Sequence, residues 1–265
     1  MKMFRQTAVI GLSLALGLPP AAGVFAAPKS TRSRPAATAA SAKGQTIEPG
    51  AVQALSRMSA YLATLSSFEI RSQTSLDVVT VADQRVQLDG VVTYKVRRPD
   101  GFVIDVDSDL KKRRFIYDGR KFTVLAPKLD YYSQVSAPPT IRQTLDQISE
   151  RYGISLPLED LFRWNDPSSA RSDKLQAGFK VGTATIDGVE TDQYAFREAG
   201  VDWQVWIRQG DQPVPLKVVI VDRTDPANPA YTARLSWNVS PTLTPADFAY
   251  EPDKDAKQIK LLAPK

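Results

Sequence analysis

Asp105, Asp107 and Asp109 alternate along Asp105-Val106-Asp107-Ser108-Asp109, the spacing at which the first half of a calcium loop presents its oxygen ligands. Such a loop starting at Asp105 needs glycine where Leu110 stands and glutamate where Ile116 stands, so the run reads as an acidic strand end. It leads straight into Lys111-Lys112-Arg113-Arg114. Four cations in a row could meet phosphate or lipid headgroups. The adjacent aspartates largely neutralise them, which favours a solvated turn. Other chemistry is excluded outright. The chain has no Cys and no His, hence no disulfide, no zinc-thiolate site, no cysteine nucleophile and no Ser-His-Asp triad. No phosphate loop, dinucleotide fingerprint or Gly-x-Ser-x-Gly elbow is present. The carboxylates sit at polar positions of alternating segments or in turns, and none stands out as half of an acid–base pair. The chain reads as a protein without catalytic machinery, cofactor or metal.

A different pattern remains. In Val201-Asp202-Trp203-Gln204-Val205-Trp206-Ile207-Arg208, Trp203 shares a strand face with Val201, Val205 and Ile207, while Trp206 lies on the opposite face. Either Trp206 packs under a neighbouring loop, or both faces meet apolar matter: the first helix on one side, a helical lid or a ligand on the other.

The elements that would position these residues follow from periodicity. Residues 1–26 carry Lys2, Arg5 and an apolar run from Ala8 to Leu18 that is too short to span a bilayer, with small residues for cleavage after Ala26. This is the form of a secretory signal peptide, with a retained anchor as the alternative. It implies a periplasmic product in a Gram-negative host. Residues 27–46 are rich in Ala, Ser, Thr and Pro and read as a disordered linker. The six cations of residues 1–46 outweigh the whole net charge of +5, so residues 47–265 are close to neutral and offer no nucleic-acid footprint. Those residues are expected to form one domain. With 43 % hydrophobic residues the chain can bury a sizeable core.

Val52, Leu55, Leu62 and Leu65 recur at helical spacing, and Thr46 or Glu48 could cap that helix. Period-two alternation then marks strands through 68–78, 86–96 and 101–107, a hairpin over 113–125 with Asp118-Gly119 as its turn, and a further strand at 130–135. After Pro138-Pro139, Thr140 and Gln143 have capping-box spacing, and Ile141, Leu145, Ile148 and Tyr152 share one helical face. Ser155 and Pro157 are expected to start a second short helix with Leu158, Leu161, Phe162 and Trp164. Five more strands run from Gly178 to Val239. The expectation is a mainly β (α+β) fold of roughly ten antiparallel strands, in one sandwich or barrel-like sheet, with an N-terminal helix and a mid-chain helical insertion.

Three stretches, Arg97 to Val106, Phe115 to Phe162 and Gly200 to Ile220, closely resemble a family of predicted periplasmic proteins known as domain of unknown function 2092. The strand–Asp-Gly–strand–Tyr-Tyr ladder and the stretch Trp206 to Lys217 are more distantly similar to the LolA and LolB lipoprotein carriers. That resemblance implies a curved antiparallel sheet forming an unclosed half-barrel, its concave mouth covered by a helical lid. It implies a binding or carrier protein whose inner face holds a lipid or the acyl chain of a lipidated protein. Ile141, Leu145, Ile148, Leu161, Phe162 and Trp164 would supply the lid side of that site. Leu76, Tyr94, Trp203 and Trp206 would supply the sheet side. The same fold also suits an envelope-stress regulatory or protein-interaction module without a ligand. A carrier needs an apolar cavity beneath the lid, whereas an interaction module fills that space with its own side chains.

Overall fold

The computed structural model describes residues 46–159, 161 and 174–263. The expected signal peptide and nearly all of the expected linker lie outside the described residues, as do Phe162 and Trp164.

Twelve strands form one sheet. The first meander comprises β1 (Ser67–Val79), β2 (Arg85–Arg97), β3 (Gly101–Ser108), β4 (Lys112–Tyr117), β5 (Lys121–Ala126) and β6 (Tyr131–Ser136). The second comprises β7 (Ala177–Ile186), β8 (Val189–Glu198), β9 (Val201–Arg208), β10 (Pro215–Asp222) and β11 (Ala230–Asn238). Short turns make each strand the antiparallel neighbour of the last. The meanders join where β1 pairs with β11, from Glu69 opposite Asn238 to Leu76 opposite Tyr231. β12 (Lys257–Gln258) extends the β6 edge and runs parallel to it, and Ile47 makes a single parallel bridge to Gly178 of β7; the other pairings are antiparallel. The order ends in β12 on one side and β7 on the other, so the sheet is not closed.

Alternation assigns the two faces. Phe68, Ile70 and Ser72 of β1 are buried while Glu69, Arg71 and Gln73 lie on the other side. Across the sheet the buried side continues through Tyr94, Ile104, Leu235, Val218 and Val205. Gly90 sits in β2 where a Cβ would stand 2.9 Å from the Asp107 carbonyl oxygen, so a larger residue would push β3 away. The hairpin turn at Asp118-Gly119 takes a positive φ of 91° at the glycine, and Asp118 Oδ1 accepts the Arg120 and Lys121 amides.

Helix α1 (Pro49–Thr64) buries Ala51, Ala54, Met58 and Leu62. Glu48 is its N-cap residue, but the carboxylate accepts from the Lys180 amide instead of capping the helix. Helix α2 (Ile141–Tyr152) starts as its spacing predicts: Thr140 accepts from the Gln143 amide, and Gly153 closes it in the left-handed conformation. Both helices join the same buried cluster as Phe68, Tyr94 and Val205, so both cover the inner face. The reverse face is covered differently. Phe248, in a 3₁₀ turn at Pro245–Phe248, packs with Val103 and Ile116, and Leu125, Leu243 and Tyr250 surround them. Both helices thus share one face; the C-terminal segment backs β3 and β4, and Trp206 of β9, which could have met a loop, a helical lid or a ligand, has the Lys217 ammonium over its ring.

Candidate functional site

The topology dictates where a lid must lie. β6 stands at one side of the sheet and β7 ends the other, yet they follow each other in sequence. The connection leaves β6 at Ala137 and, over its described residues 137–159 and 161, packs into the buried core against the sheet. Pro138-Pro139 and the Thr140 cap start α2 there, and its apolar stripe of Ile141, Leu145 and Ile148 turns onto the inner face. The second lid helix starts later than Ser155 or Pro157: Leu161 is helical, and Phe162 and Trp164 lie outside the described residues. Pro157 to Glu159 form a turn with Leu158 at a φ of 52°, and buried Glu159 accepts the Leu156 amide. Leu156, Leu158 and Leu161 are nevertheless buried with α2.

Polar contacts from the sheet hold this strap. The Tyr94 hydroxyl donates to the Pro157 carbonyl at 3.1 Å. The Tyr117 hydroxyl donates to the Pro138 carbonyl at 2.5 Å, and the Thr144 hydroxyl reaches the same oxygen. Arg98 binds both helical layers: one guanidinium nitrogen donates to Leu62 O at the end of α1 at 2.8 Å, another to Leu161 O at 3.5 Å. Its guanidinium also lies 5.5 Å from the Phe68 ring centre. Burial pulls its pKa below the ordinary guanidinium value.

Of the expected site residues, Tyr94, Ile141, Leu145, Ile148 and Leu161 come together between sheet and strap. Tyr94 is 1 % exposed and Leu145, Ile148 and Leu156 are 0 % exposed, so these side chains fill the space themselves. Leu76 lies on the inner face but further along β1, half-buried beside Leu88 and Tyr231. Trp203 is also on the inner face, stacked on Phe196 at 4.3 Å, with its indole N–H donated to Glu198. Trp206 is on the reverse face, where the Lys217 ammonium lies 4.6 Å from its ring centre. It points away from the face that carries Tyr94 and Val205, although it belongs to the same buried cluster. Arg98 and Tyr117 belong to the site but were not among the expected residues. The proline after Arg98 marked a turn and gave no sign of a carbonyl-binding side chain.

The two charge motifs explain each other. β3–β4 register sets Asp105 opposite Arg114 and Asp107 opposite Lys112, with ion pairs of 2.8 and 3.0 Å. Among the described residues no group of three or more acidic side chains is arranged to hold a metal ion. Two open grooves flank the second meander. One, of about 310 Å³, is lined by Arg57, Lys180, Asp192, Tyr194 and Arg208 and is polar in character. The other, of about 210 Å³, lies beside Val189, Val214, Leu216, Leu235 and Trp237.

Residues 51–262 match the profile of a family described as predicted periplasmic protein, domain of unknown function 2092. None of the curated proteins matches the chain significantly in sequence. An uncharacterised conserved protein from Thermus thermophilus is 12 % identical with a TM-score of 0.45, covering 80 % of this chain and 99 % of its own. LprF from Mycobacterium bovis is 15 % identical with a TM-score of 0.44, covering 76 % and 97 %. A LolA superfamily protein from Nitrosomonas europaea is 12 % identical with a TM-score of 0.35, covering 76 % and 97 %. Among the described residues no helix is long and apolar enough to cross a membrane.

Proposed function

Since the chain belongs to the domain of unknown function 2092 family of predicted periplasmic proteins, we propose that it is a periplasmic binding or carrier protein for an apolar ligand. The ligand is a lipid, or the acyl chain of a lipidated protein, taken up between the inner sheet face and the strap. Export with cleavage after Ala26 belongs to the same reading.

One observation carries it. The strap is apolar toward the sheet, burying Ile141, Leu145, Ile148, Leu156, Leu158 and Leu161, while the Tyr94, Tyr117 and Arg98 side chains of the sheet reach it only at main-chain carbonyls. Apolar contact has no directional demand, so a hydrocarbon chain can replace Leu145, Ile148 and Leu156 against the same wall. Each methylene buried is worth about 0.8 kcal/mol, so an acyl chain of ordinary length gains enough without a charged clamp. In the absence of ligand the lid side chains occupy its place. The role is binding rather than catalysis, which suits a site made of aliphatic side chains and phenols.

The test is mass spectrometry of organic extracts from protein purified without detergent. Lipid masses at near one equivalent are expected. A second reading is favoured by the filled interior: a protein-interaction module that never opens, with an envelope protein as partner. It predicts empty extracts, and hydrogen exchange as slow in α2 as in β9.

A further inference from the structure

Two hydroxyl groups on the inner face have no partner among the described residues. Tyr231 OH and Ser72 Oγ are shielded from solvent and make no hydrogen bond. Their neighbours explain why such a place is unusual. In the row Ala233–Thr74–Gly90 the sheet carries its smallest side chains, and Ser72 adds another in the adjacent row. The Thr74 hydroxyl is already engaged with the Gly90 carbonyl. These buried and half-buried residues form a stripe of small side chains, a trough only where the strap is lifted from it, between the row of Tyr94 and Trp237 and the row of Tyr231, Leu76 and Leu88. Toward the Tyr231 end the lid no longer seals the sheet: Leu76, Val78, Leu88 and Ile220 are only half-buried.

A buried phenol without an acceptor costs stability that phenylalanine would not, because the hydroxyl has lost water and gained nothing. A donor kept there despite that cost points to an acceptor that arrives with a ligand. The trough rows, from Ser72 and Thr74 through Gly90 and Val92 to Ala233 and Leu235, contain no charged side chain. An incoming carboxylate or phosphate would find no counter-charge in them, whereas a neutral carbonyl oxygen needs only the donors already present.

We propose that the Tyr231 hydroxyl anchors the neutral carbonyl oxygen of an acyl ester whose hydrocarbon chain lies along the trough, Ser72 being a second donor two rows further along the same path. This rests on the carrier reading above and adds a polar determinant of specificity to it.

The experiment uses displacement of a bound environment-sensitive dye by methyl myristate and by pentadecane, which lacks the carbonyl. Wild-type protein should bind the ester more tightly. Tyr231→Phe should weaken the ester about fivefold, the size of one net hydrogen bond, and leave pentadecane unchanged. Ser72→Ala should act in the same direction. Ligand-free Tyr231→Phe protein should melt no lower than wild type. If the variant weakens both ligands equally, or melts lower without ligand, the hydroxyl already has a structural partner and the proposal is overturned while the carrier reading stands. If neither compound displaces the dye from wild-type protein, the carrier reading itself fails and takes the anchor with it.

Discussion

Arg98 shows how much one side chain can connect. Its two carbonyl partners, Leu62 and Leu161, lie 36 and 63 residues away in sequence. No local period records such a link, so sequence reasoning saw only a turn. Arg98→Ala removes a donor from both carbonyls, Leu62 O keeping the Leu65 amide, and should cost about 1–3 kcal/mol in urea unfolding. Arg98→Lys should recover only part, since an ammonium lacks the planar fork. Asp247 gives a pH-dependent counterpart on the reverse face. The Thr244 amide, the Lys95 ammonium and the Thr244 hydroxyl together hold its carboxyl down at about 2. A carboxyl depressed by folding adds stability above its unfolded pKa, and that stability is lost as pH falls through the folded value. The Phe248 turn should therefore loosen between about pH 4 and pH 2, and Asp247→Asn should abolish that dependence. Hydrogen exchange of residues 244–250 against pH measures it.

At the scale of the element, local chemistry was legible and long-range packing was not. Thr140, Gln143 and Gly153 bracket α2 because caps act within a few residues. The Asp105–Arg114 ladder was hidden, since its two runs read separately as a calcium half-loop and a basic patch. Only pairing of β3 with β4 sets them opposite each other. Trp203 and Trp206 could be assigned to opposite faces because a strand alternates. What covers each face depends on segments far along the chain. Leu145, at 0 % exposure, is the test residue of the strap. Leu145→Asp places a carboxylate against Tyr94 and Ile148, a cost of several kcal/mol in the closed arrangement. The strap should detach while the sheet persists. Circular dichroism should retain its β signal, and exchange should quicken at residues 141–152 but not at 201–208.

The whole molecule is two meanders sewn along one seam. Short polar turns made each meander readable. The seam was not readable, because Leu76 and Tyr231 meet across the length of the sheet's own sequence and no turn forces them together. The half-barrel came from resemblance rather than from periodicity, which distinguishes strands but not a closed barrel from an open one. β12 escaped notice because two residues carry no alternation.

That the strap joins the two sides of an open sheet has a mechanical consequence. It behaves as a string across a bow. A free flap swings away at no cost to the frame. A strap continuous with one limb, and hydrogen-bonded to Tyr117, Tyr94 and Arg98 on its way across, can rise only by parting those bonds, by drawing the limbs together or by letting out chain. Taking up a guest should therefore part those bonds and draw the rims at β6 and β7 together, or unwind part of the cord. Fluorophores at Gln134 and Thr183, on those two strands, should report a change in separation on lipid binding. A constant separation, with exchange in α2 also unchanged, would mean that the guest enters without moving the string.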